Sequence, residues 1–445
     1  MVPWAKPRYE LLLLALVAVA VLSNVSTISV QDHSRMCQTR AFVNAHLQIG
    51  DCDHTIDRSI YHGRLYSNKA PGMSLLAVPG YELVQLPLPS HWTKDGDLRV
   101  WFVQLTTSGL ALLVCIFLVG RISEGLAPGW GGAAMVTLGL GTLISSFAPS
   151  NFDHVPAAAL GFAAFVLAWA RRPLAAGLVA GLALLVEYEA AAIVVIVGAY
   201  VLLAGRRPLA RYVLGVVPGA VLLGAYDWLC FGAPWRNPLR YSDNRYRVEH
   251  AKGLLGIQTP TLHATRLTFV GDRGLLVASP VLIAAGFGLF LLWKRGLRAE
   301  AGVCAAVTVA FAVAECGYFD PYGGFSPGPR YLIPALPFLA LGLGPAFARF
   351  RVATSLLALV SVIASTTVML TWTNFVSNYP GTVWAELERF LRHHQGSDLQ
   401  NWLTKNAFES IGVSDRLHSA AIVSVLAAAA CAFALSAGFA RPRSR

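Results

Sequence analysis

Residues 171–208 read RRPLAAGLVAGLALLVEYEAAAIVVIVGAYVLLAGRRP, and this stretch decides the fold class. Two apolar runs, at 174–188 and 190–204, are bordered on their far sides by Arg171-Arg172 and Arg206-Arg207 and meet at Glu187-Tyr188-Glu189. A helix of about 20 apolar residues crosses the hydrocarbon of a bilayer, and Lys and Arg collect in the cytoplasmic links between spans. The stretch therefore reads as two spans joined by a tight turn. Its arginines lie inside, and Glu187 and Glu189 lie outside.

The same reading extends in both directions. Of the 445 residues, 55% are hydrophobic and only 13% charged, with a mean hydropathy of +0.55, too little charge to cover a soluble surface of this size. Apolar runs at 11–30, 98–120, 130–148, 153–170, 174–188, 190–204, 209–229, 278–294, 299–317, 330–347, 352–373 and 419–440 predict about twelve spans. With the N-terminus inside, alternation places Lys6 and Arg8, Arg171 and Arg172, Arg206, Arg207 and Arg211, Lys294, Arg295 and Arg298, Arg349 and Arg351, and Arg441, Arg443 and Arg445 all in the cytoplasm. The expected fold class is an all-α polytopic protein of a bacterial-type cytoplasmic membrane. The net charge of +11 follows this positive-inside pattern, and no basic recognition module for nucleic acid is visible.

Three long segments, 31–97, 230–277 and 374–418, fall outside. No repeat or linker interrupts the chain, so residues 1–445 are read as one domain. Residues 34–48 predict an interfacial helix with Met36, Val43 and Leu47 toward the membrane and Arg40, Asn44 and Gln48 away from it. Residues 382–394 predict a second amphipathic helix. The first apolar run is long for a signal peptide, lacks a convincing cleavage site and is read as a retained span. Of seven cysteines, Cys115, Cys230, Cys304 and Cys431 lie in or beside apolar runs and read as packing residues. Cys37 and Cys52 share an exterior loop, either as a disulfide or as two thiols.

Acidic residues beside spans are costly and point to function. Glu187, Glu189, Asp227 and Glu315 all fall near outer helix ends, whereas a coupled transporter is expected to hold ionisable groups near the midplane between repeats. A secondary transporter or flippase for envelope lipid or glycan precursors remains the alternative on span count.

The first exterior loop opens QDHSRMCQTR, with Asp32 and Arg35 in an Asp-x-x-Arg, and continues TIDRSIYHGRLYSNKAPGMSLLAVPGYE. Here the chain resembles the C-type (GT-C) integral membrane glycosyltransferases, such as the bacterial aminoarabinose and mannosyl transferases. These carry Asp-x-x-Arg outside the first span and a Lys-Pro-Pro or Lys-Ala-Pro-Gly opening the next helix, matched by Lys69, Ala70, Pro71 and Gly72. The segments FGAPWRNPLRY, GDRGLLVASPVLIAAGFGL and YGGFSPGPRYLIPALPFLALGL, the last around Gly328-Pro329-Arg330-Tyr331, extend the likeness. The chain departs from the best-known relatives in having His33-Ser34 after Asp32 and no large C-terminal soluble domain.

The resemblance implies a GT-C-type fold and inverting transfer of a monosaccharide from a polyprenyl-phosphate donor. The acceptor would be an exterior glycan, lipid or protein, with no cofactor. Transfer needs a base for the acceptor hydroxyl, worth ~10²–10⁴-fold, and cations for the departing phosphate. By match to the motif, Asp32 would be the base, with Arg35, Lys69 and Arg330 on the donor phosphate. Each has a plainer reading: Asp32 as a helix cap, Arg35 and Lys69 as headgroup contacts beside the membrane lipids, Arg330 in a structural ion pair. Asp57, Glu187, Glu189 and His154 are candidate sugar or acceptor contacts. Against that, Asp57 reads as a turn residue, the glutamates as solvated, and His154 with Asp153 as caps of the fourth span, the favoured reading of that pair. Asp51 and Asp53 form a lone D-x-D around Cys52, too weak for an obligatory metal. Arg236, Arg240, Arg245 and Arg247 with Trp235, Tyr241 and Tyr246 form a basic aromatic loop, suited to sugar stacking or to headgroup anchoring.

Overall fold

The computed structural model describes residues 2, 9–26, 28–50, 52, 55, 57–84, 98–244, 246–324, 326–371, 381–392 and 403–440. The expectations for Lys6, Arg8, Asp51, Asp53, Arg245, Arg441, Arg443 and Arg445, and for 374–380 and 393–402 of the third exterior segment, lie outside these residues. Helix makes up 73% of the described residues, and strand among them is confined to two antiparallel pairs.

In chain order the helices that matter are α1 (Glu10–Leu22), α2 (Val30–Val43), α3 (Pro71–Val84), α4 (Leu98–Leu126), α5 (Gly131–Leu140), α6 (His154–Trp169), α7 (Pro173–Val186) and α8 (Ala191–Leu202). They continue with α9 (Arg206–Phe231), α10 (Leu262–Val270), α11 (Val281–Lys294), α12 (Arg298–Gly317), α13 (Arg330–Ala340), α14 (Leu343–Arg349), α15 (Arg351–Thr371), α16 (Val383–Arg392) and α17 (Arg416–Phe439). Every apolar run read from the sequence contains helix, and the chain is a polytopic helical membrane protein. By length and composition, however, 5 helices among the described residues are able to cross a membrane, or up to 7 if each bent pair counts once. The segment 262–278 meets α11 at 88° and α13 meets α14 at 53°. Helices α1, α5, α6 and α7 and the segment Tyr188–Leu202 are apolar but only 10–17 residues long.

The first run shows why hydropathy overestimates length. The Asn24 side-chain amide donates to the carbonyls of Ala20 and Val21, both at 3.0 Å, and so closes α1 at Leu22. Strand β1 (Asn24–Val25) then pairs with Lys405–Asn406. Ser29 next starts a separate helix: its hydroxyl accepts from the Asp32 amide while the Asp32 carboxylate accepts from the Ser29 amide. This reciprocal pair is a capping box. The interfacial helix expected at 34–48 is therefore α2, and its setting is corrected. Met36 is fully buried against Ala77 and Tyr81 of α3 and Val100 and Val103 of α4. On another side, Gln38 donates to the Tyr226 hydroxyl of α9 at 2.8 Å. Protein surrounds α2 along most of its length, and the exposed residues as far as Gln48 are Val30 at its start and Asn44, Ala45, His46 and Gln48 beyond its end. The expected amphipathic helix near 382–394 is α16, with Val383 packed on Ala364 and Val368 of α15.

Helices α7 and α9 pack with backbones in direct contact. Gly177 and Gly181 face Gly215 and Gly219, and a Cβ on any of the four would overlap the opposing main chain, the small-xxx-small solution to helix packing in lipid. Arg172 is the N-cap of α7 and Glu187 its C-cap, so basic cluster and carboxylates occupy opposite ends of that helix. The site described next is built at the Glu187 end. Replacing Gly215 by leucine forces side-chain volume between two backbones, at a cost of about 1–3 kcal/mol or more. The Gly215→Leu protein is expected to melt several degrees below wild type in detergent, and an unchanged melting curve would rule out the close α7–α9 contact.

Candidate functional site

Five elements converge: α2, the loop leading into α3, the N-terminus of α6, the C-terminus of α7 and the N-terminus of α13. Gly72 lets the first turn of α3 lie against the backbone of Leu185 and Val186 at the end of α7, where a side chain would collide. That contact brings Lys69 beside the carboxylate end of α7. Serines hold the loop itself: the Ser34 hydroxyl donates to the Asp57 carbonyl at 2.5 Å and pairs with the Ser67 hydroxyl at 2.8 Å. A disulfide joins Cys37 of α2 to Cys52, the first of the two alternatives left by the sequence, and pins the segment that leads to Asp57.

Asp32 is completely buried. One carboxylate oxygen accepts from the Ser29 amide at 2.9 Å and hydroxyl at 2.6 Å, and the other accepts from the Asn151 amide at 2.6 Å. Burial raises its carboxyl above the ordinary value, against the opposing effect of those hydrogen bonds and of Arg35. The capping reading is thus right in kind but displaced. Ser29 is the cap, and Asp32 is the third-position acid that also grips the segment entering α6.

Arg35 places one terminal nitrogen 2.6 Å from the Asp153 carboxylate and the other 3.1 Å from Gln31, with its plane 5.6 Å from the Phe152 ring centre. Burial alone would raise Asp153, but the charges of Arg35 and its neighbours prevail and hold it below the ordinary carboxylate range. The expectation that Asp153 and His154 cap α6 is corrected: Asp153 stands at the N-cap but makes no side-chain cap hydrogen bond. The His154 Nδ1 atom lies 2.7 Å from Glu187 and 3.6 Å from Asp153. Glu187 is buried rather than solvated. Burial, then the nearby Asp153 charge, pushes it well above the usual glutamate value. Glu189 sits half-buried in the turn Tyr188–Ala190.

The Lys69 ammonium is 3.3 Å from Asp57. Burial lowers its pKa, Asp57 offsets part of this, and Arg35 and Arg330 lower it further. Arg330 is buried yet makes no ion pair among the described residues. It donates to the Tyr331 hydroxyl at 3.3 Å, lies 5.3 Å from the Phe152 ring centre and 5.2 Å from that of Tyr331, and its Nε has no partner. The described residues therefore hold no structural ion pair for Arg330. A buried unpaired guanidinium is costly and suited to an anion.

Phe152 and the backbone of Asn151 are site components that the sequence reading passed over; Asp153 was read there as a cap, and Tyr331 only as part of the likeness around Arg330. The available signal was the polar run Asn151-Phe152-Asp153-His154 directly before an apolar helix. The basic aromatic loop is partly internal: Arg236 donates to the Phe231 carbonyl at 2.8 Å, and Tyr241 stacks on Phe231. Among the described residues two groups have metal-like spacing, within 4.8 Å among their ligand atoms. In His33, Cys37 and Cys52 the sulfurs are spent on the disulfide. In Asp153, His154 and Glu187 the aspartate already carries Arg35, which meets the charge a cation would supply.

No protein-family profile and no curated protein sequence matches the chain. Solved structures do. ArnT from Cupriavidus metallidurans bound to undecaprenyl phosphate aligns with a TM-score of 0.54 at 15% identity, covering 96% of this chain and 76% of that one. Its apo state gives 0.51 at 17% identity over the same shares. The Archaeoglobus fulgidus oligosaccharyltransferase in apo form aligns at 0.44 with 12% identity, over 99% of this chain and 57% of its own. The likeness to ArnT shows the fold, that of the GT-C glycosyltransferases.

The disulfide has a direct chemical test. In denatured wild-type protein without reductant, maleimide is expected to label five cysteines, and with reductant all seven. Seven labelled without reductant would contradict the bond.

Proposed function

We propose that this chain transfers a monosaccharide from a polyprenyl-phosphate donor to a glycan, lipid or protein acceptor on the outer face of a bacterial-type cytoplasmic membrane. It would act as one domain, in an inverting displacement without cofactor. The observation that carries the reading is the buried Arg330, unpaired beside Lys69 at one end of a GT-C fold. Two cations held without full neutralisation match an anion that arrives and leaves, and a phosphate departing from an anomeric carbon is such an anion. ArnT, of the same fold, is a structure bound to undecaprenyl phosphate.

The outward orientation draws support from the disulfide beside the site, since such bonds persist in oxidising compartments, and from the arginines at the opposite end of α7. In this scheme Lys69 and Arg330 hold the phosphate and stabilise its developing charge. Arg35 adds positive field while neutralising Asp153. Asp32 would brace: with three donors on its carboxylate it fixes α2 to the segment carrying Asp153 and His154. Asp57 tunes Lys69, and Glu189 remains available to sugar hydroxyls.

Membranes carrying wild type are expected to move radiolabel from a panel of polyprenyl-phosphate monosaccharides into an envelope fraction. Lys69→Ala and Arg330→Ala should each weaken undecaprenyl phosphate binding about 10- to 100-fold, the equivalent of ~1.5–3 kcal/mol for a charge-assisted hydrogen bond. The sign of the pH dependence follows from Lys69. Its ammonium is charged below its lowered pKa and is lost as pH rises through it, so carrier binding should fall on the alkaline side earlier than for an ordinary lysine. Lys69→Arg should extend binding upward in pH. Unchanged binding in both alanine variants, or substrate crossing sealed vesicles with no donor consumed, would remove the transferase reading.

A further inference from the structure

We infer that His154, held by Glu187, is the proton acceptor for the incoming hydroxyl, an assignment that rests on the transfer reaction proposed above. The imidazole is 3% exposed and its Nδ1 is committed to Glu187 at 2.7 Å. Its Nε2 is buried with no hydrogen-bond partner. A carboxylate on Nδ1 fixes the ring orientation and leaves Nε2 as the working atom. Of the other carboxylates near the site, Glu189 lies half-buried in the turn Tyr188–Ala190 and is left to the sugar hydroxyls, and four more are held as follows. Asp32 accepts from three donors, Asp153 carries Arg35, Asp57 carries Lys69, and Glu315 is buried within α12.

The position of the ring relative to the phosphate receptor agrees with the role. His154 lies 5.3 Å from the Tyr331 ring centre and 5.9 Å from that of Phe152, the same two rings against which Arg330 lies. Base and phosphate cation thus share one aromatic wall, and a single donor–acceptor pair can meet both. The charged groups acting on His154 are Asp153, Glu187 and Glu189 on the negative side and Arg330 and Arg35 on the positive side.

The competent pair holds one proton, on Nδ1 and shared with the Glu187 carboxylate, and carries one negative charge. In the step, the acceptor oxygen bonds to the anomeric carbon and its proton passes to Nε2. The bond from that carbon to the phosphate oxygen breaks, and its electron pair leaves with the phosphate toward Lys69 and Arg330. The histidine–glutamate pair becomes neutral and later returns the proton to solvent. Burial disfavours a charged imidazole as well as a charged carboxylate, so as Nε2 takes the new proton the Nδ1 proton passes to Glu187 and both groups are left neutral.

The test uses full-length protein in native membranes, the donor from the panel that wild type consumes, and undecaprenyl phosphate as the binding probe. His154→Gln is expected to lower transfer ~10²–10⁴-fold, the range of general-base help, with carrier binding unchanged and the ascending limb of the pH–rate profile gone. Glu187→Gln removes the anion that favours the protonated ring, so its limb should move to lower pH with a smaller loss of rate. If His154→Gln does not fold, the Glu187→Gln limb decides. Transfer by His154→Gln within threefold of wild type, parallel loss of carrier binding, or an unmoved limb in Glu187→Gln would overturn the assignment. So would wild-type transfer that a chelator abolishes and a divalent cation restores, which would make these residues metal ligands. Wild-type membranes that consume no donor would instead remove the transfer reaction itself, and the base with it.

Discussion

The Arg35–Asp153 ion pair, 2.6 Å long and almost wholly buried, is the interaction on which the site depends. It joins α2, which follows the first helix, to the start of α6, more than a hundred residues later in the chain. Charges leave water only when paired and hydrogen-bonded, and removing one partner of such a pair typically costs about 3–5 kcal/mol. The pair therefore dictates where neighbouring groups can go. With Asp153 taken by Arg35, His154 turns to Glu187 and the end of α7 is drawn toward the start of α6. Asp32 reinforces the same junction through the Asn151 amide.

Around this fixed pair, charge is unevenly satisfied, and the unevenness is informative. Arg35 has two polar partners and a ring, whereas Arg330 has a neighbouring hydroxyl and two rings but no carboxylate. Lys69 pairs with Asp57 alone among the described residues, in an environment that already lowers its pKa. A site that served stability alone would gain by pairing or replacing these cations. Held buried and available, they suit a substrate that brings negative charge and takes it away.

The architecture was legible in the sequence to the extent that hydropathy and the positive-inside rule govern it: each apolar run contains helix, and α16 falls where amphipathic periodicity places it. Span length was not, because Asn24 ends α1 through its own amide, and a hydropathy average does not register one side chain closing a helix. Met36 was turned outward because the period of α2 was read against a membrane, whereas α3, α4 and α9 enclose it. Of the site, the family likeness brought forward Asp32, Arg35, Lys69 and Arg330, which the fold gathers into one region. The His154–Glu187 contact depends on two helix ends meeting, which local sequence does not encode. At Asp153 the local cap preference lost to a buried arginine from elsewhere in the chain.

The most direct measurement is a structure of the full chain in lipid with undecaprenyl phosphate bound. The phosphate should lie between the Lys69 ammonium and the Arg330 guanidinium, with the Arg35–Asp153 pair intact and His154 Nε2 facing the space beside it. A phosphate held away from both cations, or one that displaces Asp153 from Arg35, would contradict this account of how the site works.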